Sequence, residues 1–273
     1  MQKRYSAIGV FDSGLGGLSA VKELKKILPY ENFIYFGDTG RVPYGTRSFE
    51  TIKQYAADDM RFLMSFDIKC AVVACGTVSS VALSELKESF PLPITDALTP
   101  ACAVAAQTTK SGEIAILATP ATIRQGGFEK ELTRINSQIV THPVACPMFV
   151  PLIENGYIAT DCEVTRIIAE EYISRLKDTD VDTIILGCTH YPIIKELISD
   201  VAKKLLGRDV SVVDSGSCAA AYTKQLLSQK DLLNDSEKEG SVRYFVSDEA
   251  QNFEKTASVF LGERPDNITK ISI

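Results

Sequence analysis

Buried-strand patterns and helix patterns alternate along nearly the whole of this 273-residue chain. Short apolar runs rich in β-branched and aromatic residues predict strands at 6–11, 33–36, 69–74, 93–96, 113–118, 138–145, 182–187 and 210–214. Amphipathic segments between them predict helices near 17–28, 48–66, 77–89, 99–110, 128–136, 160–177 and 192–205. Few folds accommodate this rhythm. It is that of parallel sheets with helices on both faces. Past residue 214 the pattern adds a helix near 215–228, a hydrophilic connection over 229–240, a strand at 242–246, a helix near 249–261 and a last strand at 268–272.

The rhythm also repeats. Val72-Val73-Ala74-Cys75-Gly76-Thr77 is an apolar run that stops at a cysteine and a threonine, and Ile184-Ile185-Leu186-Gly187-Cys188-Thr189-His190 does the same. A strand ending at Asp12-Ser13-Gly14 precedes the first device, and one ending at Ala118-Thr119-Pro120 precedes the second. A strand carrying Asp96 follows the first, and one carrying Asp214 follows the second. The expected fold class is therefore α/β, with two similar parallel-sheet domains related by pseudo-two-fold symmetry and an active site in the cleft between them. Residues 1–97 with 214–273 are expected to form the first domain and 98–213 the second, because the tail lies beyond the second copy.

Composition narrows the function class. With 29 basic and 35 acidic side chains the net charge is −6, and no basic block stands out. Neither nucleic acid nor an anionic membrane surface is expected as a partner. No apolar run is long enough to span a bilayer. Seven cysteines in a chain this long form no dense framework, so a reduced, cytoplasmic protein is expected. The only histidines are His142 and His190, and no C-x-x-C pair occurs. No metal site and no cofactor are expected.

Most free cysteines simply pack in the core, as expected of Cys70, Cys102, Cys146, Cys162 and Cys218. Cys75 and Cys188 differ, because each ends a strand where open α/β sheets bind ligands. Each also precedes a helix, whose N-terminal charge favours a thiolate. Thr77 and Thr189 can bring hydroxyls to the same point, and His190 titrates near neutrality beside Cys188. Asp12-Ser13-Gly14-Leu15-Gly16-Gly17 lies between a strand and a helix but fails both phosphate-loop patterns. Asp12 there suits a substrate ammonium or assistance to a cysteine proton. In the irregular loop Gly37 to Gly45, Arg41 is the obvious anion partner, with a surface ion pair as the other reading. Glu154 is an acid after an apolar run.

Taken in order, Asp12-Ser13-Gly14, Gly37-Asp38-Thr39, Pro43-Tyr44-Gly45, Ala74-Cys75 with Thr77, and Cys188-Thr189-His190-Tyr191-Pro192 resemble the glutamate racemases of the aspartate/glutamate racemase superfamily. The resemblance covers essentially the whole chain. It implies a cofactor-independent isomerase that interconverts L- and D-glutamate, a small-molecule substrate, and supplies D-glutamate for peptidoglycan. It implies Cys75 and Cys188 as the two proton-transfer residues, Cys75 acting on D-glutamate and Cys188 on L-glutamate. Asp12, Ser13, Tyr44, Gly45, Gly76, Thr77, Thr189 and His190 fall on substrate-binding or assisting positions. Thr119, Thr122 and Glu154 fall on further cleft positions. A homodimer is an assembly open to such a chain.

One position departs from the pattern. The family usually has asparagine directly after the first cysteine, and this chain has Gly76. If the backbone angles suit it, asparagine at 76 is expected to be accepted and to tighten glutamate binding. Three other functions remain open on the residues: a related racemase, for example of aspartate; a cysteine hydrolase or amidotransferase built on Cys188 and His190; and a two-lobed amino-acid-binding module.

Overall fold

Both faces of a parallel sheet are covered by helices, so its strands read as unbroken apolar runs. In the computed structural model, which describes residues 2–248, 253–265 and 268–273, those runs are the strands. The first half contains β1 (Ala7–Asp12), β2 (Phe33–Gly37), β3 (Ile68–Val73) and β4 (Ile94–Asp96). The second contains β5 (Glu113–Ala118), β6 (Val140–Ala145), β7 (Thr183–Leu186) and β8 (Ser211–Asp214). The tail adds β9 (Val242–Val246) and β10 (Ile268–Lys270).

One sheet runs β10-β9-β2-β1-β3-β4 and the other β6-β5-β7-β8. Every pairing is parallel. The second order repeats β2-β1-β3-β4 of the first, so the protein comprises two α/β domains of like topology. The two tail strands extend the first sheet beyond β2. Register aligns the carboxyl ends: Phe11 pairs with Val73 in one sheet and Leu117 with Leu186 in the other. Cys75 and Cys188 each lie two residues beyond these paired ends.

Helices α1 (Leu18–Ile27), α2 (Phe49–Met64), α3 (Gly76–Val81), α4 (Leu83–Ser89) and α5 (Leu98–Thr108) belong to the first pass of the chain. Helices α6 (Pro120–Gln125), α7 (Gly127–Ile135), α8 (Phe149–Glu154), α9 (Glu163–Ser174), α10 (Lys195–Leu206) and α11 (Ser215–Gln229) belong to the second, and α12 (Phe253–Leu261) to the tail. The first residues of the expected tail helix, 249–252, lie outside the described residues.

The chain crosses between sheets twice, through α5 and α11, and the two crossings are built alike. The Asp96 carboxylate accepts the backbone N–H groups of Leu98 and Thr99 at 2.9 and 2.7 Å. Asp214 accepts those of Gly216 and Ser217 at 2.8 and 3.2 Å. Each strand thus ends in the aspartate that caps the next helix. Helices α5 and α11 pack against each other. A continuous buried core runs from Ile8 and Val10 through Leu18, Ala219 and Leu227 to Ile184 and Leu186, joining the two halves.

Two expectations change. The helix expected over 77–89 is two helices broken at Ala82. Helices α6 and α8 were not expected: at six residues each they are too short for a 3.6-residue period to show. Helix α6 still carries a start signal in the chain, Thr119 capping the N–H of Thr122 at 3.4 Å with Pro120 in the first turn.

Candidate active site

A cavity of about 510 Å³ opens between the carboxyl ends of the two sheets. From the first half Ser13, Tyr44, Gly45, Cys75, Gly76 and Thr77 line it, and from the second Thr119, Thr122, Glu154, Cys188, Thr189 and His190. Of the candidate residues expected from the sequence, Asp12 and Arg41 do not reach this wall. The sequence reading missed the lining contributed by the short helices, notably Arg124 of α6 and Val150 and Pro151 of α8.

Cys75 caps α3 and is buried. Its thiol donates to Ser13 Oγ at 3.4 Å. Burial and the neighbouring carboxylate of Asp12 push this thiol up to about 12, against smaller opposing effects from Ser13 and backbone N–H groups. The expectation that a helix N-terminus favours a thiolate therefore fails here: α3 is a short helix, and desolvation outweighs its pull. Asp12 sits behind the wall. One carboxylate oxygen accepts Gly14 N–H at 3.1 Å, and Oδ1 is buried with no hydrogen-bond partner among the described residues. Burial raises the carboxyl above its usual range, while the charge of His190 and backbone N–H groups of the loop oppose the rise.

Cys188 has a different neighbour. Its sulfur lies 3.9 Å from His190 Nδ1, and His190 Nε2 lies 3.0 Å from Glu154 Oε1. Burial alone would lower the imidazole, but hydrogen bonds to Cys188 and Glu154 and their charges outweigh it and hold it up at about 10. At neutral pH both ring nitrogens therefore carry protons. A cation thus faces the Cys188 sulfur. The edge of Phe260, in α12, closes on the ring at a centroid distance of 5.0 Å.

Hydroxyls bridge the cleft. Thr77 Oγ1 lies 3.2 Å from Thr122 Oγ1, which lies 3.0 Å from Thr119 Oγ1. Ser19 Oγ lies 2.8 Å from the carbonyl oxygens of both Gly16 and Thr189, and its one proton goes to either. The glycine cluster serves close approach. A side chain on Gly16 would put its Cβ 2.2 Å from Thr189 Oγ1 and 2.5 Å from His190 Nδ1. At Gly76 the angle is no obstacle, because its φ is outside the left-handed region, but a Cβ would lie 2.5 Å from the Gly187 carbonyl oxygen. Asparagine at 76 therefore requires the backbone of one half to move, contrary to the expectation that the fold accepts it.

Two loop residues do other work than expected. Arg41 is held by carboxylates, Nε on Asp38 at 2.5 Å, Nη1 on Asp58 at 3.1 Å and Nη2 on Asp59 at 2.8 Å. It is an ion pair, as its second reading had it, but an internal one and not a surface one. The Tyr44 hydroxyl points away from the cavity toward Asp38 and Asp59, so only the rest of this residue faces a ligand. Among the described residues no cluster of three or more His, Cys, Asp or Glu side chains could hold a metal, and no helix is long and apolar enough to cross a membrane.

Two opposed thiols at equivalent strand ends, one beside a carboxylate and one beside an imidazolium, can take a proton from one face of a carbon and return one to the other. Known proteins share this build. The model of the Asp/Glu/hydantoin racemase family matches residues 16–223. The glutamate racemase of Geobacter metallireducens is 41% identical over 269 residues, 98% of this chain and 97% of its own. That of Chlorobaculum parvum is 41% identical over 263 residues, 96% and 94% of the two chains. The crystal structure of Francisella tularensis glutamate racemase in complex with D-glutamate superposes with a TM-score of 0.90 at 34% identity, covering 98% of each chain. That of the Thermus thermophilus enzyme in complex with β-chloro-D-alanine gives 0.87 at 34%, covering 100% of this chain and 99% of the other. Topology, cleft and sequence likeness over almost the full length converge, and the chain belongs to the Asp/Glu/hydantoin racemase family.

Proposed function

We propose that this racemase interconverts L- and D-glutamate, with Cys75 and Cys188 carrying the α-proton on opposite faces and no cofactor involved. The observation that carries the reading is the pair of thiols facing one cavity from equivalent positions in the two halves. In the L-to-D direction the Cys188 thiolate takes the α-proton and becomes a thiol. The electron pair stays on the α-carbon, and the Cys75 thiol delivers a proton to the opposite face, leaving a thiolate. The reverse reaction exchanges these roles. Solvent exchange of both thiols restores the starting state.

The surrounding groups fit this chemistry. The His190 cation, held by Glu154 and facing the Cys188 sulfur, offsets the excess negative charge of a dicarboxylate substrate. Asp12 is too deep to meet a substrate ammonium, so its support goes to the proton of Cys75. The Thr77 and Thr189 hydroxyls, with the N–H groups of Gly76 and Thr77 at the start of α3, suit carboxylate oxygens. Ser13, Tyr44, Gly45, Thr119 and Thr122 complete the walls. Gly76 contributes a backbone N–H where relatives of the usual pattern place an amide. The sheet memberships support the division of the chain at residues 97 and 214.

Cys188, His190 and Glu154 also resemble the nucleophile, base and acid of a thiol hydrolase. That chemistry has no use for a second thiol across the cavity. Incubation with L-glutamate in deuterium oxide separates the readings. Racemisation yields D-glutamate carrying deuterium at the α-carbon; a hydrolase or a binding protein yields neither. Chiral assays on glutamate, aspartate and glutamine identify the preferred substrate, and retention of rate after exhaustive chelation tests the cofactor-free mechanism.

A further inference from the structure

The cavity wall formed by Val42 to Thr46 rests on a buried cluster that the proton transfers do not use. Its centre is the Tyr44 hydroxyl, within hydrogen-bond distance of Asp38 Oδ2 and 3.0 Å from Asp59 Oδ2. Both aspartates are fully buried. A phenol has one proton and can donate to only one of them.

Counting donors decides which. Asp38 is an acceptor on both oxygens. Oδ1 receives Ser247 Oγ at 2.6 Å, and Oδ2 receives Arg41 Nε as well as the phenol. Ser247 in turn accepts Gly40 N–H at 2.8 Å, so its own proton goes to Asp38. Asp59 Oδ1 receives Arg41 Nη2, but Oδ2 faces only the phenol oxygen, whose proton is already given away. That contact is a hydrogen bond only if Asp59 supplies the proton.

We infer that Asp59 is a positioning residue for racemisation: it is a neutral acid that donates to Tyr44 and so pins the loop forming one wall of the substrate cavity. The chain of donation runs from Asp59 to Tyr44 to the Asp38 carboxylate. Charge agrees with it. The groups facing Asp59 are Asp38 and Arg41 from the loop and Asp58 from its own helix, with Arg61 bound to the far side of Asp58 at 2.6 Å. Asp248, bound to Lys270, lies behind Thr39. Asp58 has Arg61 and is partly exposed. The two buried carboxyls, Asp38 and Asp59, both ionised against the single guanidinium of Arg41 would leave one excess buried negative charge, and a proton on Asp59 removes it. Burial first, and the Asp38 charge second, hold the Asp59 carboxyl well above the usual carboxylate range. The lock therefore holds at low and neutral pH and weakens as alkali removes the proton.

This inference rests on the racemase reading for its kinetic test but not for its spectroscopic one. Asp59→Ala removes the donor and should raise KM for glutamate about tenfold or more, with kcat changed much less. A merely structural loss would lower the active fraction, and so kcat, at unchanged KM. Asp59→Asn, which donates to Tyr44 and accepts from Arg41 without charge, should bring KM back to near the wild-type value. It should also remove any alkaline rise in KM. Asp59→Asn as damaging as Asp59→Ala, or Asp59→Ala with unchanged KM, would overturn the assignment. The ¹³C shift of the Asp59 carboxyl, identified by its loss in Asp59→Asn, reads the proton directly in the wild-type protein. A neutral-acid shift through pH 7 is expected, and an ordinary carboxylate titration would contradict it. Absence of glutamate turnover in the wild type would instead count against the substrate assignment and leave this reading intact.

Discussion

Cys75 and Cys188 occupy the same place in two copies of one topology, each two residues past a paired strand end, yet their surroundings are opposite in charge. Around Cys75 are burial and the Asp12 carboxylate, which keep a proton on sulfur. Around Cys188 is an imidazolium held by Glu154. Duplication supplies two groups aimed at one cavity from opposite sides. Local partners then make their surroundings unequal.

The most severe way to break the comparison is to remove either thiol. Under the proposed roles, Cys75→Ser and Cys188→Ser should each lower racemisation by about 10³-fold or more, because a hydroxyl is a far weaker acid than a thiol. The two variants should differ in what survives. With a substrate analogue bearing a β-leaving group, Cys75→Ser should still eliminate from the L form and Cys188→Ser from the D form. Substantial racemisation by either variant would contradict a two-thiol mechanism.

His190→Asn sharpens the comparison by removing the cation from one side only. Loss of a hydrogen bond to a charged group, worth about 1.5–3 kcal/mol, predicts a fall of roughly ten- to hundredfold in turnover. The enantiomers have equal free energy in water, so kcat/KM must stay equal in the two directions. The asymmetry has to be read in kcat and KM separately. The pH dependence has a definite sign. The His190 value of about 10 is above the ordinary 6.5, so its protonation stabilises the folded state fully below about 6.5, and that contribution is lost as pH rises through about 10. The difference in melting temperature between wild type and His190→Asn should shrink over that interval. A difference that grows with pH would mean that the imidazole is neutral.

The seam between the halves yields a smaller effect. Gly76→Ala must displace the Gly187 carbonyl and is expected to cost about 1–3 kcal/mol of stability, read by denaturant unfolding. No loss of stability would show that the halves can part at this seam without cost. The smallest effect belongs to a thiol outside the comparison. Cys162→Ser, half-buried at the start of α9, should leave turnover within about twofold.

Local pattern made the architecture legible. Val72 to Ala74 and Ile184 to Leu186 are unbroken apolar runs, and the polar residues after them mark strand ends. The thiols, threonines and His190 were legible because they follow those runs directly. What stayed hidden depends on distant partners. Nothing near Arg41 in the chain indicates that Asp58 and Asp59 of α2 claim its guanidinium. Nothing near Gly76 indicates that Gly187, in the other half, leaves no room for a side chain. Phe260 closes on His190 from the tail. The α6 residues escaped for a different reason: six residues carry too little periodicity, although Thr119 and Pro120 mark where the helix begins.

The central claim, that equivalent thiols stand in electrostatically unequal surroundings, is tested most directly by the rate at which each is alkylated in the free enzyme. Exposure does not bias the comparison, since Cys75 is 5% and Cys188 8% accessible. Iodoacetamide reacts with thiolates, so at neutral pH, with sites resolved by peptide mass mapping, Cys188 should be modified well ahead of Cys75. His190→Asn should erase most of that lead. Equal rates in the wild-type protein, or faster modification of Cys75, would contradict the account.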